Sequence, residues 1–233
     1  MTTTALSPHT LAPRAALRDG PALRVRRATP ADVDALAALN REAYPDLVEE
    51  GVVFDAKQIA LHQARFPEGQ LVLELEEPAR DLPAGALVGA LATLALPSAH
   101  VLGPHTWYEA TADGTFDTHD PGGDALYLAD VYVGRAAWGL GLGPAAYRAL
   151  FDLCRAGGFA RVVAGGRLYS YFAYRDRLTP EQYVLDVTHG RIRDRVLGGQ
   201  LRAGFEVLGI LPGYLQDARS CDYATLLEWA RRA

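Results

Sequence analysis

The sequence predicts an α/β protein whose central sheet is mixed but mostly antiparallel, with six to seven strands and helices on both faces. Apolar, strand-like segments joined by short turns occur in both halves of the chain, and short turns make neighbouring strands antiparallel. The middle of the chain contains a strand, a glycine-dense turn, an amphipathic helix and a second strand, which requires a parallel pair. Hydrophobic residues make up 49% of the 233 residues, enough to fill a sizeable core.

In the first half of the chain, capping residues mark where the helices begin. Thr29 is a favourable N-cap and is followed by Pro30 at the first helical position, and Asp55 is a second N-cap. A turn rich in Pro, Gly and Asp separates two apolar strands. The predicted elements are a strand over residues 23–29, helices over 31–44 and 56–66, and paired strands over 70–76 and 86–96.

The second half contains a long segment, residues 97–124, in which we predict no regular element. An irregular loop of that length in a compact domain is more often functional than idle. Thr179 to Gln182 form a capping box, which predicts a helix that ends near Gly190. The remaining predicted strands cover residues 126–133, 161–166, 205–211 and 223–229.

Composition limits the domain organisation and the partners. We expect residues 1–20 to form a flexible arm and residues 21–233 to form a single domain, because no linker or repeat divides them. A net charge of −5 gives no general reason to bind nucleic acid, and two cysteines provide neither a disulfide framework nor a metal cluster. The N-terminus has no secretory signal and the chain has no membrane-length apolar run. We therefore expect a cytoplasmic protein with no metal, nucleic-acid or membrane partner.

The glycine-dense turn is the most informative feature of the sequence. Gly139, Gly141 and Gly143 alternate with leucines after Trp138, and they leave bare backbone N–H groups at the start of a helix. Such a turn binds anions, most often phosphate. A P-loop is excluded because no Lys-Ser/Thr follows the last glycine. A dinucleotide site matches residues 141–146 weakly, since the next strand carries no carboxylate for a ribose. A turn that merely requires positive φ remains an alternative.

The run Trp138-Gly139-Leu140-Gly141-Leu142-Gly143 resembles the pyrophosphate-binding turn of the GNAT acetyltransferase superfamily, in which Gln/Arg-x-x-Gly-x-Gly/Ala lies between a strand and a helix. Trp138 stands where Gln or Arg is usual. Residues 201–206 (LRAGFE) resemble the sequence that leads into the family's penultimate strand. The segments VAGGR, TPEQYV and GILPGY resemble the GNAT domain that is attached to nitrilase-type carbon–nitrogen hydrolases. The resemblance runs from about Leu23 to Trp229.

This resemblance implies the acyl-CoA N-acyltransferase fold, acetyl-CoA as acyl donor, no metal, and it allows a homodimer. In the family, the fourth and fifth strands splay apart and the pantetheine arm pairs with the fourth. By this resemblance, the backbone of Val131 and Val133 pairs with the pantetheine arm, and the N–H groups of Leu140 to Gly143 bind the pyrophosphate. The residues implied for coenzyme A are Val131, Tyr132, Val133, Trp138, Gly139, Leu140, Gly141, Leu142, Gly143 and Pro144.

Three residues are candidates for proton transfer. Asp130 interrupts an apolar strand, where burial raises a carboxyl pKa toward the range of a general base. Alternatively, it is a buried aspartate satisfied by neighbouring N–H groups. His119, in the loop before that strand, is a base, a substrate contact or a turn residue. Many family members use a Tyr as general acid at the position of Gln200, so Tyr214 is a candidate substitute.

The sequence gives less specific candidates for the residues that bind the acceptor. Arg167, Tyr169 and Tyr171 lie in a segment dense in arginine and tyrosine, whose arginines either clamp an anionic acceptor or stay solvated beside packed aromatics. Glu206 is a weaker candidate on a later strand. We expect a small-molecule or peptide amine as acceptor, and the acidic net charge slightly favours a cationic one. A non-catalytic acyl-CoA-binding module and an NADP-dependent reductase are the alternatives.

Overall fold

Seven strands form one sheet in the order β1-β2-β3-β4-β5-β7-β6 in the computed structural model, which describes residues 20–231. Only the β4–β5 pair is parallel, so the predicted mixed sheet is confirmed. The predicted N-terminal arm lies outside the described residues, except for Gly20. The strands are β1 (Leu23–Arg27), β2 (Gln70–Leu75), β3 (Leu87–Leu96), β4 (Ala125–Val133), β5 (Arg161–Arg167), β6 (Glu206–Leu211) and β7 (Ala224–Ala230).

Seven α-helices accompany the sheet. The longest, α5, has 14 residues, and no helix within residues 20–231 is long and apolar enough to cross a bilayer. The helices are α1 (Val33–Ala43), α2 (Ala56–Arg65), α3 (Ser98–Val101), α4 (Trp107–Thr111), α5 (Gly143–Ala156), α6 (Pro180–Thr188) and α7 (Leu197–Ala203).

The predicted caps form, with one difference at α1. Asp55 and Thr179 accept hydrogen bonds from the backbone N–H three residues on, and each belongs to a reciprocal capping box. Thr29 also starts a capping box, but residues 30–32 make one 3-10 turn before α1 begins. The segment 97–124 is not the irregular loop we predicted, because it contains α3 and α4. The missed signal is another capping box, in which Thr106 accepts from the N–H of Glu109.

The alternation along β4 divides the core into two layers. Leu126 and Leu128 pack in a cluster with residues of α5, α6 and α7, whereas Tyr127, between them, packs in a cluster with residues of α1 to α4. Side chains alternate between faces at every strand residue, so one strand contributes to both layers. The sheet is therefore covered by α5 to α7 on one face and by α1 to α4 on the other.

The ladder between β4 and β5 ends halfway along β4. Residues 125–128 pair with residues 161–164, and beyond Leu128 the two strands separate. On its other edge β4 carries a bulge opposite Ala92 and Thr93, where Ala129 is the extra residue. A bulge bends its strand and increases its twist, which turns β4 away from β5. The indole N–H of Trp107 donates to the carbonyl of Ala129 at 3.1 Å and so satisfies this part of the backbone.

Tyr214 lies where β4 and β5 separate, on the face of the sheet that α1 to α4 cover. Its ring lies against Gly165, the first β5 residue beyond the paired region, so closely that a Cβ at Gly165 would lie 2.0 Å from the ring. Its hydroxyl is 2.7 Å from that of Tyr127, which is 3.1 Å from the ring Nε2 of His105. Gly165 is therefore required for the close approach of a large buried side chain.

Replacing Gly165 with Ala tests this packing. We expect Gly165→Ala to lower the free energy of unfolding by about 2–3 kcal/mol, because overpacking forces the Tyr214 ring or β5 to move. Urea denaturation followed by circular dichroism measures the loss. Gly209→Ala is the matched control, because a Cβ at Gly209 in β6 has no atom within 4 Å. Equal stability of the two variants would show that the ring is not held against β5.

Candidate functional site

The split between β4 and β5 opens into a cavity of about 870 Å³. Its walls come from the unpaired end of β4, the glycine turn, α5, α7, the end of β5 and the segment after α1. A cavity of this size suits a ligand with a long flexible arm. The predicted site residues that line it are Val131, Tyr132, Val133, Trp138, Gly139, Gly141, Leu142, Gly143, Pro144, Arg167 and Tyr169.

The glycine turn presents unpaired donors to this cavity. Gly139 and Gly141 have φ of +82° and +75°, a left-handed conformation that glycine adopts without strain. Among the described residues, no protein acceptor lies within hydrogen-bonding distance of the N–H groups of Gly139, Gly141, Leu142 and Gly143. The N–H of Leu140, which we had included in the cradle, instead donates to the carbonyl of Ala137 at 3.2 Å, and Leu140 does not line the cavity.

Helix α5 adds its N-terminus to the same place. It begins at Gly143, with Pro144 in its first turn, and no side chain caps it. An uncapped helix start directs N–H groups and the positive end of the helix dipole at a ligand. The turn and α5 together present unpaired donors that suit an anion at one end of the cavity.

Trp138 fills the position where the family usually has Gln or Arg. Its indole N–H donates to the carbonyl of Val133 at 2.9 Å, and the guanidinium carbons of Arg135 and Arg195 lie 5.4 and 4.9 Å from its ring centre. The side chain therefore fixes the turn to the end of β4, a role that requires a donor but not a charge.

Asp130 lies one layer behind the cavity wall. Its carboxylate accepts a hydrogen bond of 2.7 Å from the side-chain amide of Asn40 and one of 2.7 Å from the hydroxyl of Tyr44, both on or directly after α1. Desolvation raises the pKa of Asp130 to about 6, although these two hydrogen bonds favour the ionised form. Tyr44 lines the cavity and Asp130 does not, so the carboxyl is reached through the phenol.

The hydroxyl of Tyr44 has one proton and two acceptors. It lies 2.7 Å from the carboxylate of Asp130 and 2.9 Å from the carbonyl of Val131. When Asp130 is ionised, Tyr44 donates to it; when Asp130 is protonated, the carboxyl donates to Tyr44, which then donates to Val131. The pair can therefore take up a proton from the cavity without exposing the carboxylate.

Arg167 connects this pair to the rest of the cavity. Its Nε lies 2.8 Å from a carboxylate oxygen of the buried Asp217, and its Nη2 lies 3.4 Å from Asp46. The guanidinium carbon is 5.8 Å from the ring centre of Tyr44. Two carboxylates thus balance the charge of Arg167, which holds it in place beside Tyr44.

Two predicted catalytic residues do not reach the cavity. The Nδ1 of His119 accepts from the N–H of Ala95 at 3.1 Å, and its ring stacks on Phe66, at the end of β4 opposite the glycine turn. We therefore withdraw His119 as a catalytic candidate. Tyr214 is buried against Gly165 and does not line the cavity.

Two predicted substrate contacts are also elsewhere. The hydroxyl of Tyr171 donates to the carbonyl of Leu178, and its ring packs on Tyr183 in the core. Glu206 is exposed on the edge strand β6. Neither lines the cavity, so we withdraw both.

The sequence analysis missed Asn40, Tyr44 and Arg195. Leu36, Asn40 and Tyr44 follow one another at intervals of four, which places them on one face of α1. A polar Asn on an otherwise apolar helix face was the available signal. Nothing in the sequence indicated that Arg195, in the segment before α7, returns to the cavity.

Comparison with known proteins is consistent with this geometry. The Acetyltransferase (GNAT) family profile matches residues 34–174. The "Uncharacterized N-acetyltransferase YkwB" of Bacillus subtilis (strain 168) is 31% identical over 208 residues, which cover 89% of this chain and 88% of YkwB. The "Probable hydrolase YhcX" of the same organism is 31% identical over 206 residues, 88% of this chain but only 38% of YhcX.

A solved structure agrees in fold. The GphF GNAT-like decarboxylase in complex with isobutyryl-CoA has a TM-score of 0.69 and 26% identity, and the match covers 90% of this chain and 100% of that one. The family profile covers more than half of the chain, and the strand–turn–helix unit that carries the anion site lies within the matched residues. The chain therefore belongs to the GNAT family of acetyltransferases.

Proposed function

We propose that this protein transfers the acetyl group of acetyl-CoA to the primary amine of a small-molecule or peptide acceptor. The observation that carries the proposal is the set of unpaired amides of the glycine turn at one end of a large cavity whose wall also contains Tyr44, the hydrogen-bond partner of Asp130. Anion binding and proton removal are the two tasks that this transfer requires of the protein.

The residues present fit an acyl-CoA. The N–H groups of Gly139, Gly141, Leu142 and Gly143, with the start of α5, suit its diphosphate. Beside them, the carbonyls of Val131 and Val133 already accept from Tyr44 and Trp138, and each keeps a second lone pair for a pantetheine amide. The unpaired stretch of β4 thus provides the wall along which the arm extends.

The chemistry follows from the Tyr44–Asp130 pair. An ammonium group must lose its proton before the nitrogen can attack a thioester. Tyr44 accepts that proton as it passes its own to Asp130, and the neutral amine then attacks the thioester carbon. A C–N bond forms and the C–S bond breaks, and the coenzyme A thiolate takes up the second proton, which the nitrogen loses as it becomes an amide. Gln200, at the family's Tyr position, is buried outside the cavity wall, so the thiolate leaves without a tyrosine acid there.

Decarboxylation of an acyl-CoA that carries a carboxylate on its acyl group is a second candidate. The specific observation is the agreement with the GphF GNAT-like decarboxylase, together with arginines in the cavity wall. Malonyl-CoA distinguishes the candidates: a decarboxylase converts it to acetyl-CoA and carbon dioxide without any amine, whereas an acetyltransferase leaves it intact.

The pH dependence of acetyl transfer tests Asp130. The pKa of Asp130 is raised to about 6 and a base must be ionised, so kcat/KM should rise as pH increases through about 6 and then level off. Asp130→Asn should lower kcat/KM by about 100- to 10,000-fold and remove this limb. Thiol release from acetyl-CoA with a panel of amines measures both effects. An unchanged profile in the variant would exclude Asp130 as the base.

Tyr44→Phe tests the relay. The variant should lose at least about tenfold in kcat/KM, in the range of a lost proton-transfer group. The remaining limb should move to higher pH, because the Tyr44 hydrogen bond lowers the pKa of Asp130. Tyr174→Phe is the matched control, since Tyr174 packs against Tyr183 outside the cavity. If Tyr44→Phe behaves like this control, the proton does not pass through the phenol.

A pair of glycine variants tests the turn. Gly141 and Gly158 have φ of +75° and +76°, and a Cβ at either would meet no atom within 4 Å. Backbone strain should therefore lower the free energy of unfolding of each Ala variant by about 1–2 kcal/mol. Only Gly141→Ala should weaken coenzyme A binding, by about tenfold, as measured by calorimetry. Equal binding by both variants contradicts the turn as the diphosphate site.

A further inference from the structure

Three guanidinium groups converge on the ring of Tyr169 in the cavity wall. The guanidinium carbons of Arg195, Arg219 and Arg167 lie 4.0, 4.1 and 5.6 Å from the ring centre. Arg195 and Arg219 are thus both in direct cation–π contact with Tyr169. We term Tyr169 and these three arginines the Tyr169 arginine cluster.

The cluster carries unbalanced positive charge. Carboxylates of Asp217 and Asp46 balance Arg167, but neither Arg195 nor Arg219 forms an ion pair within residues 20–231. The Nε of Arg219 is buried and has no hydrogen-bond partner there. A buried, unsatisfied donor on a charged group is costly, and the like charges of neighbouring guanidinium groups add to that cost. Both costs are relieved when an anion binds.

The chemistry of the cluster favours a planar or tetrahedral oxyanion. Guanidinium groups match carboxylate and phosphate with parallel N–H donors, and stacking on an aromatic ring fixes their orientation in advance. The excess of positive charge is local, because the whole chain has a net charge of −5. The net charge, from which we expected a slight preference for a cationic acceptor, is therefore a poor guide to this cavity.

The cluster borders the cavity between Tyr44 and the glycine turn. Arg167, Tyr169 and Arg195 line the cavity, whereas Arg219, in the segment between β6 and β7, lies over the ring of Tyr169 without lining the cavity. Arg167 connects the cluster to Tyr44, and Arg195 connects it to Trp138. The glycine turn has its own unpaired amides for a diphosphate, with Arg148 and Arg202 from α5 and α7 also lining the cavity. The phosphates of a donor thus have partners that do not include Arg219.

We propose that the Tyr169 arginine cluster binds the carboxylate of the acceptor, which makes the acceptor an amine that also bears a carboxylate. This inference rests on the proposed function. The two other arginines of the sequence segment, Arg175 and Arg177, do not line the cavity, and Arg175 lies 3.9 Å from Asp176. Arg195, distant from Arg167 in sequence, lines the cavity in their place, and Arg219 contacts the ring of Tyr169.

Succinate binding tests the site directly. Isothermal titration of succinate into protein saturated with coenzyme A should show binding, and Arg219→Gln and Arg195→Gln should each weaken it at least about tenfold. Arg175→Gln is the matched control and should bind like the wild type. Thermal denaturation of each variant verifies that it folds. Absent binding, or equal binding by all three variants, overturns the proposal.

Competition with coenzyme A separates the two sources of an anion. If succinate and inorganic phosphate bind only the coenzyme-free protein and coenzyme A displaces them, the cluster serves donor phosphates and the proposal is overturned. If malonyl-CoA, but not acetyl-CoA, displaces succinate, the carboxylate belongs to the acyl group, and the acceptor assignment is likewise overturned.

A matched pair of acceptors completes the test. β-Alanine should be acetylated with a kcat/KM at least about tenfold above that of β-alaninamide, and Arg219→Gln should remove the difference. A preference that survives in Arg219→Gln contradicts the proposal. If no amine is acetylated while succinate binding still depends on Arg219, the proposed reaction fails and the carboxylate site stands, so the two failures are distinguishable.

Discussion

The premature end of the β4–β5 ladder is the constraint on which the site depends. Pairing stops at Leu128 and Ala164, and the carbonyls that β4 then presents must find other partners. Trp107 and Tyr44 supply donors to Ala129 and Val131. These side chains come from the α1–α4 layer and keep the strands apart, so the cavity is held open by satisfied backbone groups.

This arrangement also explains why the site draws on both layers of the molecule. The glycine turn and α5 belong to the layer of α5 to α7, whereas Asn40 and Tyr44 belong to the opposite layer. A continuous sheet would separate an anion site on one face from a proton acceptor on the other. The split removes that barrier along one half of β4, and it gives a ligand bound at the turn access to the phenol of Tyr44.

Local patterns in the sequence predicted most of the fold and one half of the site. Caps, alternation and the glycine turn act between residues close in the chain, so Thr179, Asp55 and Gly141 could be interpreted directly. The other half is made by long-range contacts. Asn40 and Tyr44 approach Asp130 across about 90 positions, and Arg195 approaches Trp138 from the segment before α7. His119 does not reach the cavity because it lies at the end of β4 opposite the glycine turn, a separation that no local pattern encodes.

The shared proton of Tyr44 couples donor occupancy to the ionisation of Asp130. A ligand amide that donates to the second lone pair of the Val131 carbonyl would weaken that carbonyl as an acceptor for the phenol and favour donation by the phenol to Asp130. That state requires an ionised carboxylate, so ligand binding at β4 lowers the proton affinity of Asp130 by thermodynamic reciprocity. An amide bound to this carbonyl and the ionised form of Asp130 would therefore favour each other.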